Sequence, residues 1–172
     1  MKKQIAQSLE DAFSRLGFAE PSVAQLKDEC GVSLRTLYKY YPSKEEMVVA
    51  ALEHRHQSYL EFLKSGAPNK GKLAIQHIFQ KLEAWMEERA PNGCMSINAL
   101  AAFPENIAVI EAVKKHKREV REWLSLQSGQ QSLATDLFIL HEGVSGAWPI
   151  LGKEAVKSAL QQSNYLFEKN QP

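Results

Sequence analysis

The sequence has only two cysteines, Cys30 and Cys94, which lie too far apart to suggest a disulfide framework or a zinc site. Both are expected as reduced, packed thiols. No apolar run approaches the ~18 residues needed to cross a bilayer, and the start MKKQIAQSLEDAF meets charge too early for a secretory signal. The expectation is a cytoplasmic protein with no membrane partner. Charge of one sign is also lacking: 21 Lys and Arg stand against 20 Asp and Glu, for a formal net charge of +1. Residues 1 to 44 hold seven basic and five acidic side chains, so any polyanionic partner has to be held locally rather than by a global field. There is no glycine-rich phosphate loop, no HExxH and no GxSxG. His54 and His56 are two residues apart and fall on different helix faces, neither with a second ligand at i+4, while Glu87, Glu88 and Asp136 fall on charged faces. Neither an enzyme, a cofactor nor a metal site is expected. Internal repeats, low-complexity segments and strand-like alternation are missing too.

What is present is helical periodicity. Ile5, Leu9, Ala12, Phe13 and Leu16 fall on one helical face that ends at Gly17, and Val23, Leu26 and Cys30 repeat the pattern. Ser43, with Glu46 three residues on, opens a long helix to about Lys64 whose inner side carries Val48, Leu52, Tyr59, Phe62 and Leu63. The SGAPNKGK stretch ends it. Leu73 to Met86 form an amphipathic helix stopped before Pro91, and CMSINALAAF forms a short one broken by Pro104. Ile107 to Leu124 form a further long helix, Leu133 to Trp148 another closed by Pro149 and Gly152, and Ala155 to Phe167 the last. The fold class is all-α, with about nine helices.

Residues 22 to 44, SVAQLKDECGVSLRTLYKYYPSK, organise the rest. Ser22 and Ser33 each precede a short apolar run and predict N-caps, Gln25 completes a capping box with Ser22, and Gly31 sits where a tight inter-helix turn needs positive φ. On the second of these helices Leu37 centres the buried side, with Tyr41 and Leu34 near it. Arg35 and Lys39 point the opposite way, flanked by Thr36 and Tyr38. No acid occurs from residue 33 to residue 44, so this face is basic, hydroxylated and aromatic. On composition alone, a solvated face and a DNA-facing one remain equal readings.

The same stretch resembles the DNA-binding segment of the TetR family of transcriptional regulators, agreeing at many fixed positions of its helix-turn-helix pattern. The resemblance implies a helix-turn-helix domain over 1–45 joined to a ligand-binding and dimerisation domain over 46–172. It implies that Ser22, Tyr38, Tyr40 and Lys44 meet phosphates, and that Ser33, Leu34, Arg35, Thr36 and Lys39 face base edges or the adjoining backbone of double-stranded DNA. Arg35 departs from the small residue common at its place and Leu34 from the frequent polar one, so the operator cannot be carried over. Arg35 is the expected specificity residue, since a bidentate grip on guanine is worth roughly 1–3 kcal/mol.

The run from Gly93 to Leu124 resembles the regulatory domain of one group of TetR-type repressors, which implies an effector domain whose last two helices form a homodimer. Gly143, Gly146 and Ala147 would let a helix approach closely, and Ala155, Ala159 and Leu166 form an apolar stripe with little left in one subunit to cover it. The competing reading is that this stripe closes the monomer core. Tyr59, Phe62, Trp85, Met86, Asn98, Phe103, Trp123 and His141 offer aromatic walls and polar tips for a small, largely apolar effector. Each also reads as plain core, and His141 could bond a neighbouring carbonyl. Two functions therefore stand: a regulator, usually a repressor in this family, released by a small molecule, and a TetR-like DNA-binding protein that takes none and answers to a protein or serves a structural role on DNA.

Overall fold

The computed structural model of the chain describes residues 1–170. It contains no strand among the described residues and divides into two compact units, residues 1–58 with 95–116, and residues 59–94 with those from Lys117 onward.

The first unit holds α1 (Lys2–Leu16), α2 (Val23–Glu29), α3 (Leu34–Tyr40), most of α4 (Lys44–Lys64), α6 (Met95–Ala102) and the beginning of α7 (Ile107–Ser128). The α1 periodicity buries Ile5, Leu9, Ala12 and Phe13 together with Leu26, Leu37, Val48 and Leu52. The short apolar helix α6 adds Met95 and Ala99, and α7 adds Val109 and Val113, to the same core. Below this layer Glu10 is 1% exposed and accepts from Arg55 Nη1 at 3.0 Å, with His54 Nδ1 at 2.6 Å from its other oxygen. A buried carboxylate is tolerable only when paired in this way, and the pairing fixes α1 against α4.

The second unit holds the end of α4, α5 (Lys72–Arg89), the rest of α7, a 3-10 turn (Gln131–Leu133), α8 (Ala134–Leu151) and α9 (Lys153–Lys169). Its core joins Leu63, Ile75, Ile78, Phe79 and Leu82 to Leu124, Leu137, Val144, Val156 and Phe167. Two expectations are corrected here. Helix α8 runs through Pro149 to Leu151 and stops at Gly152, whose φ of 52° ends it. The proline falls in the last turn, so it costs the helix one i→i−4 hydrogen bond but leaves only two helical residues beyond it to be disturbed. The stripe on α9 is also not short of cover: Ala155 and Ala159, 7% and 3% exposed, are packed in the core of a single chain, and Leu166 packs beside them. Helices α5 and α8 supply that cover. On α8, Ile139, Gly143, Gly146 and Ile150 follow helical steps of four, three and four and are all exposed.

Candidate nucleic-acid interface

The reading helix is built by local hydrogen bonds that the sequence specifies. Ser22 and Gln25 form a reciprocal capping box, with Gln25 N donating to Ser22 Oγ at 3.2 Å and Ser22 N donating to Gln25 Oε1 at 2.9 Å. The turn follows at Gly31, whose φ of 62° is the left-handed conformation a side chain would resist, and Val32 N closes it on Lys27 O at 3.3 Å. Ser33 then caps α3, accepting from Thr36 N at 3.1 Å, with the two hydroxyls 2.9 Å apart. Thr36 is thus engaged at the start of its own helix.

Leu37 is fully buried and Tyr41 nearly so, and the Tyr41 hydroxyl donates to the Lys2 carbonyl at 3.1 Å, which ties the end of α3 to the start of α1. Burial, and after it the neighbouring Cys30, pushes the Tyr41 pKa up, so the hydroxyl remains a donor. Arg35, Tyr38 and Lys39 are exposed on the far side. Leu34 differs from its angular reading: it stands 43% exposed rather than near the buried face, which leaves it open for the DNA-facing role expected of it. Lys39 Nζ lies 5.8 Å from the Tyr40 ring centroid. Lys44 reaches back, donating to Ala19 O at 3.2 Å. Two acids of α2 are taken up: Glu29 pairs with Arg15 at 2.6 Å and Asp28 with Lys27. The exposed face of α3 carries Arg35 and Lys39 and no acid of its own.

Of the residues expected to line a pocket, six lie in the second unit. Tyr59 and Trp85 have ring centroids 5.0 Å apart, Phe62 and Trp85 5.6 Å, and Met86 is buried beside them. The Tyr59 hydroxyl donates to His141 Nε2 at 2.5 Å, and His141 Nδ1 donates to Glu142 Oε1 at 3.0 Å, so His141 bonds a phenol and a carboxylate rather than a carbonyl. Burial holds the His141 pKa below its ordinary value, which keeps the ring neutral in this tautomer. Trp123 packs at the edge of the cluster with its indole Nε1 buried and without an acceptor among the described residues. Asn98 and Phe103 are not gathered with these: Asn98 is exposed on α6 and Phe103 packs on the core of the first unit.

Sequence reasoning missed the groups that extend this network. Lys117 Nζ lies 2.7 Å from Glu142 Oε2 and donates to Cys94 Sγ at 3.3 Å. Burial opposes the Lys117 charge, but Cys94 and Glu142 outweigh it and raise its pKa. Glu142 is in turn held at about 2: burial pushes its carboxyl up, and His141 and Lys117 overcome that. The one signal in the sequence was Glu142 itself, the single charged residue in the mostly apolar FILHEGVSGAW.

The comparisons with known proteins agree with this geometry. Residues 8–51 match the family model described as bacterial regulatory proteins, tetR family. The chain is 30% identical over 105 residues to the HTH-type transcriptional regulator RutR of Escherichia coli K12, an alignment that takes in 60% of this chain and 50% of RutR. It thus spans about half the length of the curated relatives it matches. Among solved structures, a TetR-family transcriptional regulator from Streptomyces coelicolor superimposes with a TM-score of 0.86 at 15% identity, covering 98% of this chain and 90% of that one. The reduced form of NemR from Escherichia coli gives 0.79 at 22% identity, covering 96% and 97%. Both likenesses concern the fold.

Proposed function

Because the chain belongs to the TetR family of transcriptional regulators, we propose that it binds a palindromic DNA operator as a homodimer and represses until a small, largely apolar effector releases it. The observation that carries the DNA part is the exposed face of α3, where Arg35, Tyr38 and Lys39 stand on a helix fixed from behind by Leu37 and Tyr41. A rigid helix with its basic side outward is what entry into a major groove requires. Ser22, Ser33, Thr36, Tyr40 and Lys44 serve the backbone contacts, Lys44 after release from Ala19 O, and Arg35 reads a base edge. The test is Arg35→Ala titrated against specific and scrambled duplexes over a range of salt. A base contact predicts a loss of roughly 1–3 kcal/mol on the specific duplex alone. Equal weakening of both duplexes would make Arg35 a phosphate contact.

Dimerisation is assigned to the open face of α8, Ile139, Gly143, Gly146 and Ile150, with Ala147 at its margin. Ile150, 85% exposed, stands in line with Ile139 and two glycines, which gives one apolar strip along α8 for a second copy to cover. Ile150→Glu is expected to shift the protein towards monomer in sedimentation velocity, and an unchanged dimer would move the interface elsewhere.

The effector reading rests on the Trp123 indole, a buried donor without an acceptor at the edge of an aromatic cluster. A second reading, DNA binding without a small molecule, is favoured by the way Tyr59 and His141 already satisfy each other inside the chain. A thermal-shift screen of small apolar compounds distinguishes the two: stabilisation lost in Trp123→Phe supports an effector, and none across the screen supports the second.

A further inference from the structure

We propose, resting on the operator reading above, that Leu34 reads the 5-methyl group of a thymine in the major groove, on the base pair next to the one that Arg35 grips. Two rows run along α3. Leu34 and Tyr38 stand four residues apart, and so do Arg35 and Lys39, so the members of each pair lie one turn above the other on the helix surface. All four are exposed. Among the described residues from Lys2 to Ser58, Leu34 and Tyr38 are the large hydrophobic side chains left open, at 43% and 44%. A single apolar residue on a surface needs no explanation. These two form a row, and the row runs beside the basic one.

Charge decides what covers the row. A helix face that carries Arg35 and Lys39 and no acid turns towards a polyanion, and the apolar row beside it goes the same way. Phosphate oxygens offer a leucine nothing. Among the base edges of the major groove, the 5-methyl of thymine is the apolar group that sets one base apart, and the others are marked by hydrogen-bond donors and acceptors. A donor or acceptor pressed against leucine would lose its water and gain no partner. The side chain that favours thymine therefore also penalises its alternatives.

The neighbouring residues leave this task to Leu34. Ser33 Oγ accepts from Thr36 N at 3.1 Å and lies 2.9 Å from Thr36 Oγ1, so these two hydroxyls hold the first turn of the helix together. Leu37 is fully buried behind them and fixes the direction in which the row points. Adjacent Cα atoms lie about 3.8 Å apart, close to the step of about 3.4 Å between successive base pairs, so Leu34 and Arg35 reach neighbouring pairs. Tyr38 continues the row with its ring and keeps its hydroxyl for the DNA backbone.

The test starts from duplexes that the full chain selects out of a random pool. Each thymine of the preferred duplex is replaced in turn by deoxyuridine, which removes the 5-methyl and keeps every hydrogen-bonding group, and binding is followed by fluorescence anisotropy at fixed salt. One thymine is expected to weaken binding about fourfold on losing its methyl, the weight of one buried carbon. In Leu34→Ala, with folding checked by circular dichroism, the same replacement should no longer matter. A preferred duplex in which no thymine depends on its methyl overturns the assignment of Leu34 and leaves the operator reading standing, as does a methyl penalty that Leu34→Ala retains in full. A pool that converges on no sequence overturns both.

Discussion

Glu53 in the first unit and Glu142 in the second are held by similar means to different ends. Each lies within hydrogen-bond distance of a histidine, Glu53 at 2.8 Å from His116 Nε2 and Glu142 at 3.0 Å from His141 Nδ1. In both, burial pushes the carboxyl up and the neighbouring donors outweigh it, leaving each at about 2. The difference lies in what stands beyond. The Glu53 side chain is 42% exposed, its remaining partners are Gln57 and the exposed Lys115, and the far nitrogen of His116 has no acceptor among the described residues. Glu142 is 24% exposed and joins a partly buried lysine, a neutral histidine, a phenol and a thiol into one chain of contacts. A carboxylate near water pins two helices. A carboxylate that neutralises a partly buried cation holds up everything the cation touches, and in this protein that includes the Cys94 thiol.

The sharpest way to break this comparison is to neutralise each carboxylate in turn. Glu142→Gln leaves the partly buried Lys117 without its counter-charge; removing one partner of a fully buried pair costs about 3–5 kcal/mol, which is the upper bound expected for this pair. Chemical denaturation followed by tryptophan fluorescence is suited to it, because Trp85, Trp123 and Trp148 all belong to the second unit. A loss below about 1 kcal/mol would mean that the pair is as well solvated as a surface one.

Acid separates the two units less strongly. Both carboxylates have folded pKa values of about 2 against an ordinary 4.5, so each contributes stability that is complete above 4.5 and is lost as pH falls towards 2. His141 adds a further term in the second unit. Its pKa is held below 6.5 by burial, so between that lowered value and 6.5 the unfolded chain binds the proton and the folded one does not, and stability already falls as pH drops below 6.5. The tryptophan-reported transition is therefore expected to weaken at a higher pH than amide exchange in α1 and α3 does. Coincident loss by both probes would assign the acid sensitivity to one shared event.

How much of this could be read in the sequence divides along the same line. The α2–turn–α3 unit is made of short-range chemistry: a serine and a glutamine three apart, a glycine at the turn, another serine cap. Such features lie within a few residues of their partners, so the fold there and the outward Arg35 and Lys39 were legible. Leu34 was placed too near the buried face because a helical angle on one short helix does not say which neighbours cover it. The second unit is made of long-range contacts. Lys117 meets Cys94 and Glu142 from 23 and 25 residues away, and in the run VKKHKREVRE it reads as one more solvated cation. The cover over Ala155 and Ala159 comes from α5 and α8, which periodicity on α9 alone cannot reveal. His141 was singled out as a polar group needing a partner, but the partner, Tyr59, is 82 residues earlier in the chain.

The smallest effect is expected at Glu53, and its smallness is the informative result. Glu53→Gln keeps an acceptor for His116 Nε2 and sacrifices only a charge that is 42% exposed and shared with solvent-facing Lys115. Exposed pairs of this kind contribute about 0.2–1 kcal/mol, so the denaturation midpoint should move little. The stacked rings of His56 and His116, 4.2 Å apart, should keep α4 and α7 together in this unit without the carboxylate. A loss as large as that of Glu142→Gln would mean that Glu53 neutralises a protonated His116. His116 would then be a second cation dependent on its carboxylate, and the contrast between the two units would disappear.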